Sequence, residues 1–231
     1  MGLLLNTLSP AILYEEMAES TYFVDKTAFI GQMLQRIGTN GKYVCITRPR
    51  RFGKTVMANM LGAFLTKSAA TKKLFAQLNI GRDAEAMQHI NQYNVIYIDF
   101  SRISSNDYQS YIDNIAEVLK NDLHKAYPDR AAGGVAEDLE RITAATGERF
   151  IFIFDEWDAI FHAAFISEDD RKKYLLFLKY LLKDRVYVQL AYMTGVLPIS
   201  KYTSGSELNT FAEYNMATMS LYSDVFGFND T

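Results

Sequence analysis

Two short clusters could do chemistry. Gly53-Lys54-Thr55 joins a backbone without a side chain, an ammonium and a hydroxyl. Asp155-Glu156 sets two carboxylates at the end of the apolar run Ile151-Phe152-Ile153-Phe154. The first set suits a polyphosphate: backbone N–H groups at a helix N-terminus, at the positive end of its dipole, cradle phosphate oxygens. Gly53 lets the backbone come close, Lys54 reaches the outer phosphates, and Thr55 can ligate Mg²⁺. The second set is the usual complement. Asp155 would hold the Mg²⁺ shell, and Glu156 would polarise an attacking water.

By itself Gly-Lys-Thr is weak, arising by chance in about one chain in ten of this length. Context strengthens it, because the β-rich run Tyr43-Val44-Cys45-Ile46 enters the loop and an amphipathic segment leaves it. The loop departs from G-x-x-x-x-G-K-[ST] in having Arg48 where the first glycine belongs. Three arginines, Arg48, Arg50 and Arg51, crowd it, and Pro49 removes one backbone donor. At least one guanidinium is therefore expected to point inward and replace missing donors, with Arg51 the nearest candidate. Lys54 itself is expected on an exposed loop, without a packing role. A third element is Thr194-Gly195, closing a long apolar strand. Its hydroxyl could bond a terminal phosphate or the attacking water, and it suits a plain turn nearly as well.

The elements that must position these residues read as strand–helix alternation. Near-continuous apolar runs at 43–46, 95–100, 150–154 and 186–193 suit strands buried on both faces of a parallel sheet. Helical stripes follow: Val56, Met57, Met60, Leu61, Phe64 and Leu65 from near Lys54; Tyr108, Ile112, Ile115, Leu119 and Leu123; and Tyr174, Leu175, Leu178, Leu181 and Leu182. The pattern predicts an α/β doubly wound sandwich with right-handed crossovers. Ala131–Gly134 reads as a loop or helix break, Ser204–Ser206 as a turn, Glu213–Met219 as a short last strand and Tyr222–Phe228 as the start of a helix.

Composition narrows the classes. The chain has 231 residues, 49% apolar and 22% charged, close to the average for soluble domains and long enough to bury its own core. One cysteine, Cys45, excludes a disulfide framework and a multi-cysteine zinc site, and within its strand it reads as inert core. A net charge of −3 argues against a surface built to coat nucleic acid. The start carries no secretory signal pattern, and no run of 18 apolar residues is free of charge. The expectation is a soluble cytoplasmic protein without a membrane partner. His89, His124 and His162 lack metal-ligand spacing, and Asp99 ends a strand in a place that could face the site.

In order along the chain, Tyr22-Phe23-Val24-Asp25-Lys26-Thr27, Arg48-Pro49-Arg50-Arg51-Phe52-Gly53-Lys54-Thr55, Asp155-Glu156-Trp157-Asp158 and Met193-Thr194-Gly195-Val196-Leu197-Pro198-Ile199 resemble the bacterial AAA-ATPase-like family. Its hallmarks are a YVDKT box and an RPRRFGK[ST] loop, so Arg48 is the family's own variant. The resemblance covers about residues 20–228. It implies a P-loop NTPase three-layer sandwich with a mostly parallel sheet of the additional-strand class, the Thr194 strand inserting between the P-loop and Walker B strands. It also implies an N-terminal segment with the box over 1–30, an ATPase core over 31–221 and the start of a helical lid at 222–231.

The cofactors implied are ATP and Mg²⁺. Catalysis would fall to Lys54, Thr194 and Glu156, and the metal to Thr55 and Asp155. Nucleotide would touch Arg48, Arg50, Arg51, Phe52, Gly53, Lys54, Thr55 and Val56, with Tyr22 and Phe23 near the adenine. Family members often continue into a nuclease-like domain. Beside ATP, the partners left open are a second copy, such an effector and nucleic acid. The leading reading is an ATPase that drives or gates a partner domain. The others are a nucleotide-sensing switch with little turnover, and the ATPase part of a nuclease-associated defence or mobile-element protein.

Glu156→Gln should keep nucleotide binding and abolish hydrolysis, because an amide is a poor proton acceptor. Phosphate release measured beside an equilibrium binding assay checks this; turnover at the wild-type rate would give the water to another residue.

Overall fold

A computed structural model describes residues 2–201 and 208–215. Five strands, β1 (Tyr43–Thr47), β2 (Asn94–Asp99), β3 (Phe150–Asp155), β4 (Val188–Gly195) and β5 (Ala212–Tyr214), form one parallel sheet in the order β2-β3-β4-β1-β5. The fourth strand lies between the first and third, the insertion that the resemblance implies. Among the described residues, seven α-helices accompany the sheet: α1 (Ser9–Ala18), α2 (Ala28–Leu34), α3 (Lys54–Leu65), α4 (Lys72–Ala76), α5 (Tyr108–Ala126), α6 (Val135–Thr146) and α7 (Glu168–Leu182).

Strand periodicity sorts the core into two layers. Along β3, Phe150, Phe152 and Phe154 face one cluster, and Ile151 and Ile153 face the other. The phenylalanine face packs against apolar residues of α5, α6 and α7, and the isoleucine face against those of α1 to α4. Successive side chains point to opposite faces, so a run apolar at every position must be covered twice. The result is a three-layer α/β sandwich.

The expected strands and the three striped helices are present. The fourth strand begins at Val188 rather than at 186, since Asp184 takes a left-handed turn before it (φ 57°). Helices α1, α2, α4 and α6 were not anticipated. They are short, or carry few apolar residues per turn, and gain their stability from docking. Helix α6 had the clearer signal: Leu139 and Ile142 on one face, acids in the first turn and Gly147 closing it at φ 75°. The Tyr22–Val24 stretch is a turn running into irregular chain between α1 and α2. Of the strand predicted at 213–219, only 213 and 214 are strand within the described residues, as part of β5. The turn at 204–206, the helix at 222–228 and the lid at 222–231 lie outside them. Among the described residues no helix is long and apolar enough to cross a membrane.

The N-terminal stretch covers the open edge of β2. Leu5 bridges Ile96 in antiparallel fashion, Asn6 N–H donates to the Val95 carbonyl at 2.7 Å, and Tyr97 N–H to the Leu4 carbonyl at 3.0 Å. An edge with unpaired N–H and C=O groups invites other chains, so this cover protects it. Asp122 of α5 anchors it. Its buried carboxylate accepts the N–H groups of Leu4 at 2.7 Å and Leu5 at 3.0 Å.

Asp122→Ala should destabilise the fold by about 3 kcal/mol, because two buried donors lose a charged acceptor. Urea unfolding should show a lower midpoint with an unchanged slope; a loss below about 1 kcal/mol would mean that Leu5 packing alone holds the segment.

Candidate functional site

The site lies at the carboxyl ends of β1, β3 and β4, where open α/β sheets bind ligands. Strand β1 ends at Thr47, and the loop 48–53 turns the chain into α3. Two residues of that loop are left-handed, Arg51 at φ 70° and Gly53 at φ 74°. Gly53 takes this conformation without strain; Arg51 pays for it. Arg48, at the place of the missing glycine, has no positive φ, so the turn needs no glycine there. The first helical bond is Met57 N–H to the Gly53 carbonyl at 3.0 Å. The N–H groups of Lys54, Thr55 and Val56 precede it and crown the positive end of α3, which has no acidic residue in its first turn.

The buried guanidinium of the loop is that of Arg48, 4% exposed, and not that of Arg51. Arg48 donates to the carbonyls of Thr47 and Tyr214, both at 3.0 Å, and so ties the loop to β5. Arg50 and Arg51 are exposed. The buried arginine is thus Arg48, which continues a buried strand, whereas Arg51, the nearest candidate by sequence, stands exposed on a left-handed turn beside the cavity described below. Lys54 also departs from expectation. It is 4% exposed, with Nζ 3.1 Å from the Pro49 carbonyl and 3.6 Å from Glu156 Oε1.

The acids at the end of β3 differ in environment. Asp155 is fully buried; Oδ1 accepts the Thr194 hydroxyl, and Oδ2 has no hydrogen-bond partner among the described residues. Burial holds its carboxyl above the usual range, against the opposing pull of Thr194, Thr55 and Lys54. Glu156 is partly exposed and left-handed at φ 50°. Burial raises its carboxyl too; Lys54 works against that, while the charges of Asp155 and Asp158 add to it. Among the described residues, Arg51 and Glu156 are the left-handed positions that are not glycine, asparagine or aspartate, and both sit here. Such strain persists where the surroundings over-determine it.

Thr194 is fully buried at the centre. Its hydroxyl donates to Asp155 and lies 3.4 Å from the Glu156 N–H, so the plain-turn alternative leaves out its contacts. The donor set fits a hard divalent ion: a buried carboxylate oxygen without a partner, close to the Thr55 hydroxyl, is oxygen chemistry of the kind Mg²⁺ prefers.

On one side of the loop, a cavity of about 220 Å³ is lined by Tyr22, Phe23, Val24, Arg51, Phe52, Gly53 and Val56, among others. The box and the loop thus share one cavity. Tyr22 stands at its rim, 89% exposed. Behind them, Asp25 accepts the Thr27 N–H at 2.9 Å and the Asn79 N–H at 2.6 Å, and Thr27 accepts the Ile80 N–H at 3.0 Å. Asp25 and Thr27 of the box are therefore clamps, and its aromatics, with Lys26, line the cavity. On the other side, a second cavity of about 330 Å³ includes Thr55, Asn59, Tyr97 and Asp99. Asp99 pairs with Arg102 at 2.9 Å, which occupies the carboxylate that sequence reading placed near the site. Sequence reading missed the close contacts of Asp158 and Gly195; the third acid of Asp155-Glu156-Trp157-Asp158 was the available signal.

The family model for AAA-ATPase-like proteins, described as predicted AAA-ATPases, matches residues 13–203. A protein of Azotobacter chroococcum mcd 1, described as an uncharacterized protein in the vnfD 5′ region, is 27% identical over 218 residues. The match takes in 91% of this chain and 40% of that protein, so the chain spans well under half the length of its relative. Among solved structures, the Drosophila ORC bound to AT-rich DNA and Cdc6 aligns with 92% of this chain and 59% of its own, at 9% identity and a TM-score of 0.43. The Aeropyrum pernix ORC2 protein in ADPNP–ADP complexes aligns with 90% of this chain and 48% of its own, at 11% identity and a TM-score of 0.41.

The environment of Asp155 generates a prediction. A folded-state pKa above the unfolded one means that the fold binds this proton more tightly. The contribution is then fully present below the unfolded pKa and is lost as pH rises through the folded one. Ionisation of Asp155 therefore destabilises the ligand-free fold. Asp155→Asn should raise the melting temperature without ligand and flatten its decline with rising pH, while removing the Mg²⁺ dependence of nucleotide binding. Differential scanning fluorimetry across pH reads the first effect and titration with and without Mg²⁺ the second; a lower melting temperature would refute the burial argument.

Proposed function

The chain belongs to the AAA-ATPase-like family, and on that premise we propose that it is an ATP-binding, Mg²⁺-dependent module whose ATP turnover drives or gates a partner region. The observation that carries this reading is the approach of Lys54 Nζ to Glu156 Oε1 at 3.6 Å, across 102 residues of sequence. It brings a phosphate-type loop and a strand-end carboxylate pair onto one small volume.

In this reading the first-turn N–H groups of α3 and the Lys54 ammonium bind the outer phosphates. Phosphate oxygens replace the Pro49 carbonyl and Glu156 as partners of Lys54, which frees Glu156. The Tyr22–Val24 stretch, Phe52 and Val56 cover the base from the 220 Å³ cavity. Thr55 and Asp155 hold Mg²⁺, which when bound neutralises charge on the phosphate oxygens. Glu156 accepts the proton of the attacking water, and the raised affinity of its carboxylate for protons suits a base. Thr194 keeps Asp155 oriented and lies beside Glu156, where a terminal phosphate would be read. Arg50 and Arg51, exposed at the mouth, suit phosphate at the rim or a neighbouring copy. Arg48 acts on the loop through β5. The box belongs with the N-terminal segment 1–30 and the chemistry with the core 31–221; a lid from 222 onward completes the proposed division.

A second reading is a switch that binds ATP and turns it over slowly. The same ion pair favours it, because a glutamate held by Lys54 is a poor base until nucleotide draws the lysine away.

Saturating ATP with Mg²⁺ at 100 times Kd should stabilise the protein by about 2.7 kcal/mol. GTP with Mg²⁺ should do less, and Lys54→Ala should lose most of the shift. Equal shifts in wild type and Lys54→Ala would refute the phosphate-loop reading. ATP binding without phosphate release would select the switch.

A further inference from the structure

Beyond the residues placed against nucleotide, the loops that carry them are knotted together by one buried acid. Asp158 is 1% exposed and lines neither cavity. Its carboxylate accepts the Val196 N–H at 3.0 Å and the Leu197 N–H at 2.8 Å, both through Oδ2, with Oδ1 3.2 Å from the Val196 nitrogen. These residues continue β4 directly after Thr194-Gly195. The reverse connections are as short: Trp157 N–H donates to the Thr194 carbonyl at 2.9 Å, and Arg48 N–H to the Gly195 carbonyl at 3.1 Å. The ends of β1, β3 and β4 therefore share one set of bonds around Gly195.

Gly195 shows how tight this knot is. A Cβ there would lie 2.5 Å from Trp157 Nε1 and 2.7 Å from Asp158 Oδ1. Both neighbours are buried, so neither can swing into solvent. The absence of a side chain lets the β4 end seat against Asp158 and sets the height of Thr194 beside Asp155. Two residues before Asp158 stands Glu156 in its left-handed conformation, with its carbonyl accepting the Ala159 N–H at 2.9 Å. A buried carboxylate is costly unless its hydrogen bonds are satisfied, and here they are satisfied by the backbone of the neighbouring loop alone. Such an acid adds directional constraint that an apolar filler could not.

We propose that Asp158 is a positioning residue that couples the Thr194 and Glu156 loops through the Val196 and Leu197 N–H groups, with Gly195 as its seat, so that the site distinguishes a third phosphate from two. This rests on the ATP reading above. Thr194 and Glu156 are where the third phosphate is read, whereas Lys54 and the α3 N–H groups also hold a diphosphate. Loosening the knot therefore costs ATP and spares ADP. Asn at 158 turns an amide toward one of the two donors, and Ala at 195 displaces the carboxylate without deleting it.

The test is the dissociation constant for ATP and for ADP, each with Mg²⁺, by calorimetry on the full chain. Wild type should prefer ATP. Asp158→Asn should keep ADP affinity within about twofold and lose about tenfold in the ATP-over-ADP ratio, the size of one directed hydrogen bond. Gly195→Ala should do the same, and it carries the test should Asp158→Asn fail to fold. Adding Thr194→Val to either variant should lower the ratio no further, because both act through one contact. Equal losses for ATP and ADP, an unchanged ratio, or additive effects with Thr194→Val would overturn the coupling and leave the ATP reading standing. A wild type that binds ATP and ADP alike also overturns it, and one that binds neither nucleotide overturns both.

Discussion

The hydrogen bond from the Thr194 hydroxyl to the Asp155 carboxylate is the contact on which the rest of the site depends. It joins two strand ends, β4 and β3, and forms only because β4 lies between β1 and β3. The register places Thr194 opposite Ile46, one residue before the strand of the loop ends. From that point the loop, the paired acids and the central hydroxyl occupy one edge of the sheet. One oxygen of the Asp155 carboxylate is satisfied by this bond, and the other has no hydrogen-bond partner among the described residues. Under the proposed reading that oxygen takes a metal ion, which sets a stability cost against a binding gain.

Much of the remaining architecture keeps that edge rigid. Phenylalanines on one face of β3 and isoleucines on the other are each covered by helices, so the strand cannot tilt toward solvent. Arg48 crosses from the loop to β5, and Asp25 and Thr27 pin the box to the 3-10 turn at 79–82. Asp122 holds the N-terminal stretch over the β2 edge. Arg48, Thr27 and Asp122 are buried and Asp25 is partly so, and each bonds at least one backbone N–H or C=O group distant in sequence. Polar groups buried this way stay only where their bonds are made, and they specify one arrangement of loops.

The same buried polar groups explain which residues were misplaced by sequence reasoning. Three arginines in one loop look alike in a string. Their fates diverge because Arg48 continues a strand buried on both faces, while Arg51 sits exposed on a left-handed turn at the mouth of a cavity. Lys54 reads as a loop lysine, but it begins α3 under the loop, and its ammonium finds Pro49 and Glu156. The Tyr22–Thr27 box reads as one unit, yet its aromatics and its acid face different surroundings.

What the sequence determined by itself was local or periodic: continuous apolar runs that must be strands buried on both faces, stripes that must be helices packed on a sheet, and a glycine–lysine–threonine turn at a helix start. These follow from the two periods of the backbone and from the orphan donors at a helix N-terminus. The sandwich, its parallel sheet and the chemistry-bearing residues at strand ends were legible for that reason, and the strand order was legible only through family resemblance. Tertiary structure alone decided which arginine is buried, where Lys54 rests, that Asp155 keeps a bare oxygen, and that Asp158 and Gly195 lock β4 to the acids. Those outcomes depend on contacts between residues far apart in the chain, whose distances are set by strand register and close packing. No local pattern carries that information.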